Sequence, residues 1–168
     1  MKGILFTIIM FTLSSVGHGN EFNSLKNTFG DWRVRHVYSQ DTLHYRFSDA
    51  RTTINLTGHG SFPFQINRNY DGEFNFTFEY AVGRWKDISS IDGWLTKVIF
   101  NIDGETFVFT SDHSVVHTFY GKIDSNFLKA IAQASSIKLE LFVKETKVSD
   151  GSISTNGSFA ALNYIRAL

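Results

Sequence analysis

The chain has 168 residues, balances 16 Lys and Arg against 16 Asp and Glu, and holds no cysteine but 17 Phe, 6 Tyr and 3 Trp. A near-neutral chain without a basic cluster lacks the electrostatic footprint of a nucleic-acid binder, and it carries no polybasic helix for an anionic membrane surface. Disulfides are excluded, so stability rests on burial, to which each large side chain contributes roughly 1.5–3 kcal/mol.

The first residues read as an export signal. Lys2 gives a positive start, Ile4 to Leu13 is an apolar run with Thr, and Gly17 and Gly19 put small residues before a cut expected after Gly19. A bilayer needs roughly 20 apolar residues; this run is too short to span one, and no later segment approaches that length. Residues 1–19 are therefore expected to be a signal peptide and residues 20–168 one domain, periplasmic or secreted. With no cysteine, a lipid anchor through an N-terminal Cys is excluded.

The remaining chain shows short alternating runs separated by turn signals, the pattern of a mainly β protein. Trp32, Val34, His36 and Tyr38 alternate with Arg33, Arg35 and Val37 in a first strand. Ser39-Gln40-Asp41 leads to a second strand through Leu43, Tyr45 and Phe47, and Ile54 and Leu56 mark a third, ended by Gly58-His59-Gly60. Phe62, Phe64 and Ile66 follow, with Pro63 between them; lacking an N–H, it predicts an edge position. Asn69 to Gly72 form a turn into GEFNFTFEY, where Phe74, Phe76, Phe78 and Tyr80 alternate with Asn75, Thr77 and Glu79, and Glu73 and Glu79 fall on the solvated side.

Gly83 to Gly93 form a polar, irregular connection that contains Trp85 and is followed directly by Trp94. Leu95–Ile102 and Glu105–Thr110 flank Asp103-Gly104, the dipeptide favoured by two-residue hairpin turns because Gly accepts positive φ. Asp124 caps a helix over SNFLKAIAQAS, with Phe127, Leu128, Ile131 and Ala134 on one face. A strand from Ile137 to Val143 precedes a second turn dipeptide, Asp150-Gly151, and a terminal helix, SFAALNYIRAL, repeats Phe159, Leu162 and Ile165. The expected architecture is an antiparallel β-sandwich of roughly 8–10 short strands with two short helices in the C-terminal third. In a sandwich the aromatic face meets a second sheet about 10 Å away and is filled; in a small barrel the same face encloses a ligand.

Signals for catalysis are missing. There is no Cys nucleophile, Gly-x-Ser-x-Gly elbow, Gly-rich phosphate loop or His-Glu-x-x-His helix. His113 and His117, four apart beside Asp112, are weak metal candidates, since a zinc site needs a third protein ligand. His36 and His44 are placed to meet across the first hairpin, and His59 is a loop residue. Asn55, Asn75 and Asn156 begin glycosylation sequons. The expectation is a non-enzymatic binding protein without cofactor. Trp85 and Trp94 are its candidate ligand-binding residues, because Trp is enriched at binding hot spots. The partner is a protein, an envelope component or a glycan.

Two stretches carry a resemblance. FGDWRV, Phe29 to Val34, resembles the opening of the invasion-associated locus B family of exported bacterial proteins, whose domain begins with a Gly-Asp-Trp strand. The tail is similar to that family's helix, strand, turn and terminal Gly-Phe-x-x-Ala-Leu segment, here approximated by Gly157, Phe159, Ala160, Ala161 and Leu162, with NIDGETFVFT in the expected middle. The family's usual cysteines are absent, so the resemblance implies a divergent, cysteine-free relative. It implies a β-sandwich-like exported protein linked to host-cell invasion, with no catalytic residues to transfer and a structural role for Gly30-Asp31-Trp32. Two alternatives stay open: a lipocalin-like barrel for a small apolar ligand, which also opens on Gly-x-Trp, and a glycan-binding sandwich using Trp85 and Trp94.

Overall fold

A computed structural model of the chain describes residues 23–38, 45–79, 95–111 and 118–167. Their elements run β1 (Asn23–Phe29), β2 (Trp32–Tyr38), β3 (Tyr45–Leu56), β4 (Gly60–Asn69), β5 (Phe74–Glu79), β6 (Lys97–Ile102), β7 (Glu105–Thr110), β8 (Thr118–Ile123), α1 (Ser125–Gln133), β9 (Ile137–Val143), β10 (Thr146–Ile153) and α2 (Ser158–Arg166). The strands form one antiparallel sheet in the order β7-β6-β9-β10-β3-β4-β5-β8, with β2 also paired to β3 and β1 paired to β2. β3 is the branch point. One edge pairs along its length with β4; the other pairs with β2 through Arg51 and with β10 from Ile54 to Leu56.

Alternation decides what lies inside. Trp32 and Val34 of β2, Ala50 and Ile54 of β3, Phe62, Phe64 and Ile66 of β4, and Phe76 and Phe78 of β5 are all buried, as are Val98, Phe100, Leu139 and Leu141 from the other half of the sheet. The sheet curls until these two halves meet. Phe76 reaches Phe100 at 5.3 Å and Phe109 at 4.9 Å between ring centroids, both edge to face, the geometry that sets the positive ring edge against the negative face. Phe64 lies 6.1 Å from Phe100 across the same space. The face carrying Phe74, Phe76 and Phe78 is thus a packed core; Tyr80 lies outside the described residues.

The helices close the curl. Asp124 caps α1 by accepting the Phe127 N–H at 2.8 Å, and α1 inserts Phe127 between Phe100, Phe107 and Phe109 at 5.1, 5.1 and 4.8 Å. The Asp103-Gly104 turn has positive φ at both residues, as the hairpin requires, and its Asp103 carboxylate accepts the N–H groups of Ser135 and Ser136 and the Ser135 hydroxyl. These bonds pin the end of α1 to the hairpin. α2 lies against β1, β2, β3 and α1 through Ala161, Leu162 and Ile165.

The Gly30-Asp31-Trp32 segment is structural, as the sequence implies. Gly30 and Asp31 turn β1 into β2, and Trp32 is fully buried with its indole N–H donating to the Ser154 carbonyl at 2.9 Å. The Asp31 N–H donates to the Asn156 carbonyl at 3.0 Å, and the Ser154 hydroxyl donates to the Asp31 carboxylate at 2.6 Å. A Cβ on Gly157 would fall 1.9 Å from the Phe29 carbonyl oxygen, so the turn and the approach to α2 fit only as glycine.

Five expectations change. The second and third strands expected around Phe47 and around Ile54 and Leu56 are one strand, β3, because the polar stretch between them pairs without a break with β4. β1 carries no alternation of apolar residues, so periodicity does not predict it; the Gly30-Asp31 turn holds it against β2 by backbone pairing. Pro63 lies on an interior strand rather than an edge, since β4 pairs with both β3 and β5, but the described β5 ladder begins at Phe64 and leaves Pro63 beyond its first rung. Asp150-Gly151 is not a turn but part of β10; the β9–β10 turn is Lys144-Glu145, with Lys144 at φ 55°. Phe159 points outward and is 59% exposed, because α2 buries Ser158 and Ala161 instead.

Two substitutions, each paired with a control, test this core. Phe76→Ala is expected to cost roughly 3–5 kcal/mol in urea unfolding, the range for a large aromatic removed from a packed interior, whereas Thr77→Ala on the outer face costs little. Gly157→Ala is expected to cost at least about 2 kcal/mol, from positive φ and a clash with backbone. Gly58→Ala, with φ 77° but open space around it, carries only the conformational part, about 1 kcal/mol. Equal costs at the two glycines would show that the Phe29–Gly157 approach yields freely.

Candidate functional site

The residues that alternate with the core form the outer face of β2, β3, β4, β5 and β8, and the register sorts them into rows. One row runs Lys26, Arg35, Asp49, Asn67, Asn75 and Lys122; the next runs Thr28, Arg33, Arg51, Gln65, Thr77 and Tyr120; a shorter one holds Val37, Phe47 and Asn69. Adjacent strands are about 4.8 Å apart, so each long row, which begins on β1, crosses roughly 24 Å of surface.

Asp49 is the centre of this face and is 0% exposed although it points outward. Two guanidiniums cover it. Arg35 donates through Nε at 2.9 Å and Nη2 at 2.7 Å to Oδ2, and Arg51 donates through Nε at 2.9 Å to Oδ1. The Arg35 guanidinium also lies 5.3 Å from the centre of the Phe47 ring, a cation–π placement. A buried carboxylate needs such partners, because an unpaired ion in a low dielectric costs several kcal/mol. Arg33 and Lys26 make no ion pair with a described residue and complete a groove of about 350 Å³ with Asn27, Thr28 and the Arg35–Asp49–Arg51 cluster.

Beyond Asp49 the face becomes neutral. Gln65 donates to Asn67, and Asn67 donates through Nδ2 to Asn75 Oδ1 at 2.9 Å. This amide relay borders a second hollow of about 420 Å³ lined by Phe47, Asn67, Asn69, Tyr70, Asn75, Thr77 and Tyr120. Tyr70 is 80% exposed and Tyr120 is 49% exposed. A Lys122–Glu73 pair at 2.6 Å rims the face and raises the Lys122 pKa, chiefly through its hydrogen bond. The face therefore has a cationic end and an aromatic-amide end on one rigid support.

The sequence pointed elsewhere for binding. Trp85 and Trp94, the metal candidates His113 and His117, His44, and residues 1–19 lie outside the described residues. Among the described residues no helix is long and apolar enough to cross a membrane, and no group of three His, Asp or Glu is placed to hold a metal. Asn75 of the second sequon is buried in the amide relay. The outer-face set was missed because it is the complement of the aromatic alternation. The signal was present in Arg33-x-Arg35, Asp49-x-Arg51, Gln65-x-Asn67 and Asn75-x-Thr77, but only the register brings these pairs side by side.

No family model matches the chain, and no curated protein does. Among solved structures, its fold is similar to the crystal structure of invasion associated protein B from Bartonella henselae, with a TM-score of 0.59 over 85% of this chain and 96% of that one, at 16% sequence identity. At that identity the likeness is one of overall fold.

Behind the arginines, on the inner face, lies His36. Its Nδ1 is hydrogen-bonded to the Ser48 hydroxyl, and its ring lies 4.7 Å from that of Tyr164 on α2. Asp49 is on the opposite side of β3 with its oxygens held by Arg35 and Arg51, so Ser48, His36 and Asp49 do not form a nucleophilic triad. Burial lowers the His36 pKa below 6.5; the Asp49 charge opposes this and Arg68 adds to it. The unfolded chain therefore binds more protons as pH falls through about 6.5. The His36 contribution is fully present above that value and is lost as pH drops toward the lower folded pKa. The melting temperature is expected to decline between about pH 7.5 and 5.5, and His36→Asn to flatten that decline. An unchanged slope in the variant would place the proton elsewhere.

Proposed function

We propose that the chain is an exported, non-enzymatic binding protein of the invasion-associated locus B kind, acting at a host-cell surface or the bacterial envelope. The observation that carries this reading is the outer face: exposed rings, a row of amides and paired arginines, all standing on strands whose inner side is filled by aromatic core. Ligand sites combine apolar surface with a few convergent polar groups, and this face has both. The fold likeness and the FGDWRV opening support the kinship. Export rests on Lys2, the Ile4–Leu13 run and the Gly17/Gly19 end.

A second reading has one feature in its favour. The curl of the sheet is barrel-like, as a lipocalin-like carrier of a small apolar ligand requires, but Phe64, Phe76, Phe100 and Phe109 occupy the space such a ligand needs.

Labelled protein is expected to bind saturably to host cells or isolated envelopes and to give no turnover in a hydrolase panel. Tyr120→Ala on the outer face is expected to weaken that binding, and Trp85→Ala and Trp94→Ala test the connecting loop in the same assay. Absence of binding to every surface, or measurable turnover, would overturn the reading. A fluorescent fatty acid held at micromolar affinity would favour the lipocalin-like one.

A further inference from the structure

Resting on that reading, we infer that the outer face of β2, β3, β4, β5 and β8 takes an acidic saccharide: a chain of sugar rings bearing carboxylate or sulfate groups. The inference follows from the order of chemistry along the rows. At one end Lys26, Arg33, Arg35 and Arg51 bring four cations against the single Asp49 carboxylate. Asp49 engages Nε and Nη2 of each flanking arginine, which leaves one Nη1 group on each for a second acceptor. A guanidinium presents five donors in a planar fork that fits carboxylate and sulfate oxygens. Asp49 therefore fixes the two forks in place without exhausting them.

At the other end the hollow is uncharged and ring-lined, with Phe47, Tyr70 and Tyr120 around Asn67, Asn69 and Asn75. Phenol rings give flat apolar area with a polar edge, suited to the C–H faces of a sugar. Amide side chains both donate and accept, as hydroxyl groups demand. A simple polyanion would use only the first end, and a neutral glycan only the second. The continuous rows from Lys26 to Lys122 and from Arg33 to Tyr120 place both under one extended ligand. The carboxylates beside the rings do not change the sign at the cationic end: Glu73 is paired with Lys122, and Glu73 and Asp71 border the aromatic end only.

Isothermal titration of the full-length folded protein with a heparin octasaccharide, oligogalacturonate, a neutral maltooligosaccharide and polyglutamate tests the assignment. The two acidic saccharides are expected to bind, the neutral one weakly, and the binding to weaken as salt screens the charges. The double variant Lys26→Glu/Arg33→Glu changes two exposed side chains without ion-pair partners, so the fold is expected to be kept, and affinity to fall by at least about tenfold. Tyr120→Ala is expected to weaken the saccharides several-fold and leave polyglutamate unchanged. Lys138→Glu, a single charge reversal at an exposed position of β9 away from this face, is expected to have no effect. Equal affinity for polyglutamate together with an inert Tyr120→Ala would overturn the saccharide in favour of nonspecific polyanion attraction. An inert Lys26→Glu/Arg33→Glu variant would remove the site. Cell or envelope binding that persists while all four probes fail would overturn this ligand class alone, whereas loss of both would take the binding reading with it.

Discussion

The ring of Phe76 is where the two halves of the sheet are held together. It lies 5.3 Å from Phe100 and 4.9 Å from Phe109 across the curl, 5.9 Å from Phe119 on the neighbouring strand and 6.1 Å from Phe127 of α1. Gly121 makes this placement possible: a Cβ there would be 2.2 Å from the ring. With no disulfide available, the curvature rests on such contacts. The aromatic pairs add about 0.5–1.5 kcal/mol each to the area they bury.

Because strand side chains alternate, the same residues that build this core leave a second, independent set facing outward. Phe64 and Gln65, Ala50 and Arg51, Phe76 and Thr77 are neighbours in sequence with different tasks. Inner positions answer to packing density, where one missing methylene is felt. Outer ones answer to charge and hydrogen bonding. Asp49 belongs to both: it is buried like a core residue, yet its partners are the two arginines of the outer face. Its carboxylate orients Arg35 and Arg51 as a rigid pair, so the face is preorganised before any ligand arrives.

Much of this was legible in the sequence where alternation and turn chemistry agree. The Phe62–Ile66 and Phe74–Phe78 faces, the Asp103-Gly104 hairpin, the Asp124 cap and the buried Trp32 all follow from local rules. The failures share one cause, tertiary context. Asn23 to Phe29 has no apolar period, and only pairing with β2 makes it a strand. Asp150-Gly151 has turn chemistry, yet β3 and β9 claim it from both sides and Gly151 fits because a Cβ would meet the Asn55 carbonyl at 2.5 Å. The outer-face site was hidden for a related reason. Arg35 and Asp49 are 14 residues apart, and Asn67 and Asn75 are 8 apart, distances that acquire meaning only through register.

The branched pairing of β3 has a temporal consequence. Its Ile54–Leu56 edge is completed by β10, whose Gly151–Ile153 segment emerges from synthesis nearly a hundred residues later. Until then, β3 carries an open row of N–H and C=O groups beside Ile54 and Leu56, the kind of edge on which chains aggregate. Sheet pairing at such sequence separation is also slow, since closure entropy must be met first. The last segment to arrive carries Ser154 and Gly157, which lock onto Trp32 and Phe29 at the start of the fold.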